Sequence, residues 1–196
     1  MMGDIVYRWS GQVMEPFDGI AFIGRNPRDA DNVYIATGDS GQGMTHGAIA
    51  GMLLRDLILG RTNRWAQVYD PARKSPRAAA EYARIQASVA AQYADWLTAG
   101  ELPGIADVRA GSGAVLRRGL QKIAVYRGED GRVTVCSATC PHLGGVVRWN
   151  SAEQSWDCPC HGSRFAPTGE VLNGPANDPL ERLDAPAEDS LTVPAT

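Results

Sequence analysis

Two cysteines and two histidines constrain this chain more than any other feature of its sequence. They stand in two short segments, Cys140–His142 with the letters C-P-H and Cys158–His161 with the letters C-P-C-H, and fifteen residues separate the segments. The chain has only three histidines and four cysteines, and two of those histidines and three of those cysteines fall here. Each segment offers one thiolate and one imidazole, which predicts two loops that hold one metal group between them.

The mixture of ligand types indicates which metal group is meant. A 2Fe–2S cluster takes four protein ligands, two for each iron, and in one type two histidines replace two cysteines on one iron. The cysteines are predicted to hold one iron and the histidines the other: Cys140 and Cys158, His142 and His161. Small residues follow each pair and let backbone N–H groups approach the bridging sulfides. A zinc site is the alternative, although zinc sites usually group their cysteines apart from their histidines.

The two loops resemble the ligand loops of Rieske iron–sulfur domains. The letters C-P-H-L-G-G from Cys140 and C-P-C-H-G-S from Cys158 carry the resemblance, and Gly174-Pro175-Ala176 resembles the third, proline-bearing loop of that family. The resemblance implies a small antiparallel β domain over residues 102–196 that transfers electrons through a Rieske 2Fe–2S cluster. It also implies a hydrogen bond from Ser163 to the cluster. Phe165 stands where a tyrosine would add a donor, so we expect a potential in the lower part of the Rieske range of about −150 to +300 mV.

A further implication of the resemblance concerns the remaining cysteines. High-potential Rieske domains carry a second cysteine in each ligand loop, and these two form a disulfide. Cys160 matches one of those positions, but Gly145 occupies the other. Cys136 lies on a predicted strand, where we do not expect it to reach the Cα–Cα separation of about 4.4–6.8 Å that a disulfide needs. Cys160 is therefore expected to be a reduced, apolar-like filler beside the cluster.

The first part of the chain carries a glycine-rich turn between a predicted strand and a predicted helix. Strands are predicted over 20–23 and 33–36, and the turn Thr37–Gly47 leads into a helix that reaches about Leu59 and is capped by Thr45. Such a turn presents free N–H groups at a helix N-terminus, which suits an anion or an electron-rich ligand edge.

This region resembles the C-terminal end of FAD-dependent oxidoreductases of the D-amino-acid-oxidase and glycine-oxidase type. The segments Arg8–Gly11, Asp18-Gly19 and Ala36–Gly47 carry the resemblance. In that family the last glycine loop and helix lie against the flavin, which implies residual contacts at Gly38, Gly41, Gly43, Met44, Thr45 and His46. The chain has no G-x-G-x-x-G motif for a dinucleotide. We therefore expect that it begins inside the flavoprotein, that FAD binds only with the missing N-terminal part, and that the isolated glycine loop is a structural relic.

One amphipathic helix is predicted between these two parts. Ser75-Pro76 reads as its cap and first residue, and Gly100 as its C-terminal cap. Its apolar residues recur every three or four positions and are expected to pack on the flavoprotein part: Tyr82, Ile85, Val89, Tyr93 and Trp96.

The predicted fold class is α+β, with a flavoprotein remnant at 1–74, the linker helix at 75–101 and the Rieske domain at 102–196. Strands of the last part are predicted over 114–117, 121–127, 132–137, 146–150, 155–157, 171–172, 180–184 and 190–193.

Composition excludes several classes of protein. Hydrophobic residues at 44% and charged residues at 21% are typical of a soluble globular protein, and no apolar run is long enough for a transmembrane segment. The net charge of −3 and the absence of a basic stripe argue against nucleic acid as a partner. A Rieske oxygenase needs a second iron site with two further histidines, and only His46 remains.

The expected function follows from both resemblances. It is electron transfer as the C-terminal part of a flavin-dependent oxidoreductase that acts on an amine or amino-acid-like substrate, with a redox partner protein or a flavin domain as partner. Cysteines placed mostly in a metal motif favour a cytoplasmic location. No catalytic residue is predicted in this chain. The alternative is a stand-alone Rieske ferredoxin-like carrier with no flavin bound.

Overall fold

The computed structural model describes residues 6–7 and 9–184, so the strand predicted over 190–193 lies outside the described residues. The fold is α+β and divides into two compact units. Gly11–Gln86 form one unit, and the other combines residues 6–7 and 9–10 with residues 87–184. No helix in the described ranges has the length and apolar character needed to cross a membrane.

A two-stranded hairpin and one long helix make up most of the first unit. Strands β1, Phe22–Arg25, and β2, Tyr34–Thr37, pair in antiparallel register. Helix α1 spans Gly43–Ile58, and a short helix α2 spans Ala66–Tyr69. Ile23 and Leu53 are each 1% exposed and form the centre of the small core. The buried face of α1 is narrow, because Met52 and Ile58 lie at the surface.

The prediction that Thr45 caps α1 was wrong. The residue before the helix is Gln42, whose side chain makes no capping hydrogen bond. The Gln42 carbonyl already accepts from the His46 N–H at 3.0 Å, so helical bonding starts ahead of Thr45. Thr45 is therefore the third residue of the helix.

The linker helix is shorter than predicted and ends on a different core. Helix α3 spans Pro76–Gln92, and Ser75 Oγ accepts from the Ala78 N–H at 3.3 Å, as a cap does. A 3₁₀ helix, Tyr93–Leu97, follows it. Among the predicted apolar residues, Tyr82 contacts the flavoprotein part: its ring lies edge-on to Phe17 with centroids 5.3 Å apart. The later apolar residues instead pack on the core of the second unit: Val89, Tyr93 and Trp96.

Gly100 is not a helix cap. A Cβ atom at this position would lie 2.8 Å from Arg117 N, so glycine is needed for the close approach of two backbone segments. The Glu101 N–H donates to the Val115 carbonyl at 2.8 Å at the same place. The backbone after the 3₁₀ helix is thus held directly against strand β3, Ser112–Arg118.

Two antiparallel sheets form the second unit. After a short 3₁₀ helix at Ile105–Asp107, a three-stranded sheet contains β3, Ser112–Arg118, β4, Gln121–Arg127, and β5, Val133–Ser137. A four-stranded sheet contains β6, Arg148–Asn150, β7, Ser155–Asp157, β8, Arg164–Phe165, and β9, Val171–Asn173. Residues 180–184 were predicted to be a strand but make only a single bridge, between Cys136 and Arg182.

A pair of tryptophans lies over the first sheet. Trp156 is fully buried, and its ring contacts that of Trp149 edge-on with centroids 4.9 Å apart. Both rings rest on Gly113 in β3, where a Cβ atom would be 2.7 Å from Trp149 and 2.8 Å from Trp156. Because β6 and β7 form one hairpin, the loops before and after it emerge at the same end of the second unit.

Candidate metal centre

The two predicted ligand loops share one backbone hydrogen-bond pattern. In the first, the Cys140 N–H donates to the Gly145 carbonyl at 2.8 Å, and the Gly144 N–H donates to the Cys140 carbonyl at 2.9 Å. In the second, the equivalent bonds join Cys158 to Ser163 at 2.8 Å and Gly162 to Cys158 at 2.9 Å. The glycine at the fifth position has a φ of 75° in the first loop and 81° in the second, a conformation that favours glycine.

The shared pattern brings the two predicted cysteine ligands together. Cys140 and Cys158 are 2% and 3% exposed. Their side chains are hydrogen bonded, and this bond is the main reason that the pKa of Cys140 falls to about 5. The same bond and burial raise the pKa of Cys158. The lowered pKa of Cys140 favours its thiolate, the form in which a cysteine binds metal.

The two predicted histidine ligands form a second pair. The rings of His142 and His161 lie edge-to-face, with centroids 4.9 Å apart and an interplanar angle of 87°. Both side chains are partly exposed. Nδ1 of His142 is buried, and no described residue forms a hydrogen bond with it. Buried polar atoms normally have a hydrogen-bond partner, so a buried imidazole nitrogen without one is available to bind a metal.

These residues fit a 2Fe–2S group. Across the described residues, no three Cys, His, Asp or Glu side chains gather around a single ion position. The four predicted ligands instead form a cysteine pair and a histidine pair, which matches the two ligands per iron of a Rieske cluster. Such a group would lie with its sulfur-ligated iron at the buried thiols and its nitrogen-ligated iron at the partly exposed imidazoles.

Ser163 connects the second ligand loop to the third loop. Its side chain is fully buried, and Oγ accepts from the Ala176 N–H at 3.0 Å. A hydrogen bond from the same hydroxyl to Cys140 contributes to the low pKa of that thiol. Ser163 is therefore in place to stabilise negative charge on the sulfur side of the site.

All four cysteines are free thiols in the structure. The Cys136 thiol lies 3.7 Å from the Thr168 carbonyl, and burial raises the pKa of both Cys136 and Cys160. A Cβ atom at Gly145 would lie 2.5 Å from Cys160 Sγ. Cys160 thus faces the position where Rieske domains with a disulfide carry their second cysteine, and that position holds only a hydrogen.

The sequence analysis missed three residues that hold the first ligand loop. Tyr93 Oη donates to the Leu143 carbonyl at 2.6 Å, and Trp96 Nε1 donates to the Gly144 carbonyl at 3.0 Å. Arg148, the first residue of β6, donates to Asp95. The sequence did offer a clue to Tyr93 and Trp96, because both side chains carry a hydrogen-bond donor as well as an apolar ring. The sequence analysis treated these two residues only as part of the apolar face of the linker helix.

The residues predicted to contact FAD lie in the first unit and come together only in part. Gly38, Gly43 and His46 line a cavity of about 280 Å³, and His46 Nδ1 lies 3.2 Å from the Asp39 carbonyl oxygen. Gly41, Met44 and Thr45 are not among the lining residues. Met44 is 93% exposed.

Comparisons with known proteins match both parts of the chain. The family model for the Rieske [2Fe-2S] domain matches residues 101–184, and the model for the FAD dependent oxidoreductase family matches residues 1–57. The Rieske 2Fe-2S iron-sulfur protein YhfW of Bacillus subtilis is 38% identical over 92% of this chain. A cytochrome b6-f complex iron-sulfur subunit of Chlorobaculum thiosulfatiphilum is 35% identical over 50% of this chain.

A solved structure is also similar. The cyanobacterial plasma membrane Rieske protein from Synechocystis is 31% identical, with a TM-score of 0.39 over 47% of this chain and 94% of that protein. The chain spans 36% of the length of the Bacillus relative and 53% of the length of the Chlorobaculum relative. The chain thus joins a Rieske [2Fe-2S] domain, matched over residues 101–184, to a segment of the FAD-dependent oxidoreductase family, matched over residues 1–57.

Proposed function

We propose that this chain transfers electrons through a Rieske 2Fe–2S cluster held by Cys140, His142, Cys158 and His161. The observation that carries the proposal is the shared backbone pattern of the two ligand loops, which presents two buried thiols and two adjacent imidazoles at one end of the domain. When bound, the cluster takes up and gives back one electron.

The surrounding residues have distinct tasks in this proposal. The buried thiols keep water from the sulfur-ligated iron, because only 2–3% of each cysteine is exposed. The partly exposed imidazoles face solvent, so a redox partner protein approaches from the histidine side. Ser163 donates toward the sulfur side and favours the more negative, reduced form.

We further propose that the chain works within a flavin-dependent oxidoreductase that acts on an amine or amino-acid-like substrate in the cytoplasm. The match of residues 1–57 to the FAD dependent oxidoreductase family supports this role. The parts are then the flavoprotein remnant at 1–74, the linker helix at 75–101 and the Rieske domain at 102–196. FAD binds in this proposal only together with further flavoprotein sequence, and that flavin domain or a redox partner exchanges electrons with the cluster.

One observation favours the alternative, a Rieske ferredoxin-like carrier without flavin. The cavity at the glycine loop is about 280 Å³, which is below the roughly 300–1,000 Å³ of pockets that enclose drug-sized ligands. FAD is larger than such ligands, so in this alternative the cavity at the glycine loop does not enclose the cofactor by itself.

Metal analysis of the purified chain tests the proposal. We expect two iron and two sulfide per chain and a rhombic electron paramagnetic resonance signal after reduction. Ala substitution at His142 or His161 should abolish the signal, whereas His46→Ala, which changes the third histidine, should leave it unchanged. One zinc per chain without sulfide would contradict the proposal. A flavin absorbance band in the same sample distinguishes the flavoprotein role from the flavin-free carrier.

A further inference from the structure

We propose that the C-terminal end of the linker helix braces the first ligand loop without a covalent bond, in the place of the loop-to-loop disulfide, and that Tyr93 and Trp96 are its positioning residues. This inference rests on the proposed cluster site. It assigns to the linker helix a role in holding the cluster, beyond joining two parts of the chain.

The brace acts on backbone carbonyls inside the loop. Tyr93 donates to the Leu143 carbonyl at 2.6 Å, and Trp96 donates to the Gly144 carbonyl at 3.0 Å. The two acceptors directly follow His142 in the chain. The Leu143 side chain is 58% exposed and contributes little packing, so the hydrogen bonds of its backbone carry more of the order of this loop.

The end of the helix is itself fastened to the β domain. Arg148 donates to Asp95 at 2.7 Å and to Gln92 Oε1 at 3.0 Å. Arg117 in β3 donates to the carbonyls of Trp96 and Thr98 at 2.9 and 2.8 Å. A brace that restricts a loop must be held by something more rigid than the loop, and these bonds to β3 and β6 meet that condition.

Lys122 adds a second attachment from β4. Its ammonium group donates to Thr98 Oγ1 at 3.0 Å and to the Ala99 carbonyl at 2.8 Å. The residue is only 3% exposed, so these bonds satisfy a buried charge and are costly to break. The segment after the brace therefore has fixed contacts on two strands of the same sheet.

The tyrosine is suited to remain a donor. Burial raises the pKa of Tyr93. The hydroxyl therefore stays protonated next to the site. Tyr93 also packs against the core cluster that contains Cys140, Cys158 and Cys160.

The contact between Gly145 and Cys160 explains why such a brace is needed. A Cβ atom at Gly145 would lie 2.5 Å from Cys160 Sγ, so a cysteine there would be next to its partner. With glycine at this position no covalent link joins the loops. The second loop is held by the hydrogen bond from the Ala176 N–H to Ser163 Oγ. The first loop is held by the hydrogen bonds from Tyr93 and Trp96.

The first experiment compares Tyr93→Phe, Trp96→Phe and the double variant with the wild-type chain. Tyr82→Phe is the matched control, because it removes a hydroxyl from the same linker helix at a ring that contacts Phe17. We expect loss of visible absorbance to an iron chelator to be several-fold faster in each single variant and faster still in the double variant. A double variant that keeps its cluster as long as the wild type overturns the inference.

Hydrogen exchange of the cluster-free chain gives a readout that does not depend on the cluster. Amides over residues 140–145 should exchange several-fold faster in the double variant, while those over 158–163 keep the wild-type rate. Equal exchange over 140–145 in both proteins overturns the brace. Failure of the wild-type chain to bind iron and sulfide would instead overturn the proposed cluster function, so the two failures are distinguishable.

Gly145→Cys in the double variant provides the rescue. Under oxidising conditions the new thiol should form a disulfide with Cys160, after a small shift of the Cys160 side chain, and restore the wild-type exchange rate over 140–145. Adding a reductant should remove the rescue. A disulfide that forms without restoring protection shows that the brace and the covalent bond are not equivalent, which overturns the inference.

Discussion

Ser163 is the residue through which the protein acts most directly on the sulfur side of the proposed cluster. Its buried hydroxyl accepts from the Ala176 N–H and is hydrogen bonded to Cys140. Ser163→Ala removes a donor to negative charge, so the reduced form is less stabilised and the potential falls. A hydrogen bond of about 1.4 kcal/mol corresponds to about 60 mV in a one-electron couple. Protein-film voltammetry measures the shift.

The control for this change is Ser155→Ala. Ser155 is equally buried, but its hydroxyl donates to Asp157 at 2.9 Å in β7, outside the ligand loops. Its substitution should leave the potential unchanged. Equal potentials for the wild-type chain and the Ser163 variant would show that the hydroxyl does not act on the cluster.

Phe165 offers the opposite change. The ring is fully buried in the same core cluster as Cys140 and Cys158. Phe165→Tyr adds a hydroxyl there, and we expect the potential to rise by about 60 mV if that hydroxyl donates to the sulfur side. The same voltammetry tests this expectation, and an unchanged or lower potential contradicts the assignment of Phe165 as a missing donor.

The ligand loops could be predicted from the sequence because the residues that form each loop are close together in the chain. Each loop closes on itself within six residues, and the glycine with positive φ lies inside it. The brace could not be predicted from the sequence, because Tyr93 and Leu143, whose carbonyl accepts its hydrogen bond, are 50 residues apart. Nothing near Tyr93 in the sequence shows which of two cores its ring will join.

Among the secondary elements, the β6–β7 hairpin and β8 share one charged cluster. Asp157 accepts from Asn150 at 2.8 Å and Ser155 at 2.9 Å, and Arg164 donates to both of its oxygens. Burial alone would raise the pKa of Asp157, but the hydrogen bonds from Asn150, Arg164 and Ser155 outweigh it and lower the pKa. The carboxylate therefore links three strands that position the second ligand loop.

Asp157→Asn should lower the free energy of unfolding of the cluster-free chain by about 2 kcal/mol at neutral pH, because it removes a charge paired with Arg164. A depressed carboxyl pKa contributes stability above the unfolded pKa of about 3.9, and this contribution is lost as the pH falls through the folded pKa. The difference between the two proteins should therefore shrink below about pH 4. Urea unfolding at a series of pH values measures it.

Asp31→Asn is the control for this experiment. The Asp31 side chain is 92% exposed and pairs with Arg25, which is also exposed, so its removal should change stability little. A gap between Asp157→Asn and wild type that stays constant down to acid pH would contradict the proposed charge effect.

The positions of several strands of the second unit follow closely from the sequence, and the ends of the helices follow less well. The predicted ranges 121–127 and 132–137 match β4 and β5 to within one residue. The end of the linker helix was missed because Tyr93 and Trp96 continue the helical spacing while the backbone tightens into a 3₁₀ helix. The hydrogen bonds from Tyr93 and Trp96 to the carbonyls of Leu143 and Gly144 accompany the change from α-helix to 3₁₀ helix. The spacing of apolar residues in the sequence does not predict such long-range bonds.

At the scale of the whole molecule, the question is whether the flavoprotein segment binds FAD alone. The cavity at the glycine loop is small, and Met44 points into solvent. We expect that titration of FAD with the 196-residue chain produces no quenching of flavin fluorescence. Stoichiometric quenching would contradict this expectation. His46→Ala would then show whether the bound flavin lies at the glycine loop.

The two tryptophans that rest on Gly113 have a consequence for mutational tolerance. A single methyl group at this position would lie 2.7–2.8 Å from both rings, so every other amino acid displaces the pair that covers the sheet. Gly47 in α1 differs from Gly113, because a Cβ atom at position 47 would have no neighbouring atom within 4 Å. A saturation library selected for folded protein should therefore keep only glycine at position 113, while position 47 accepts many residues.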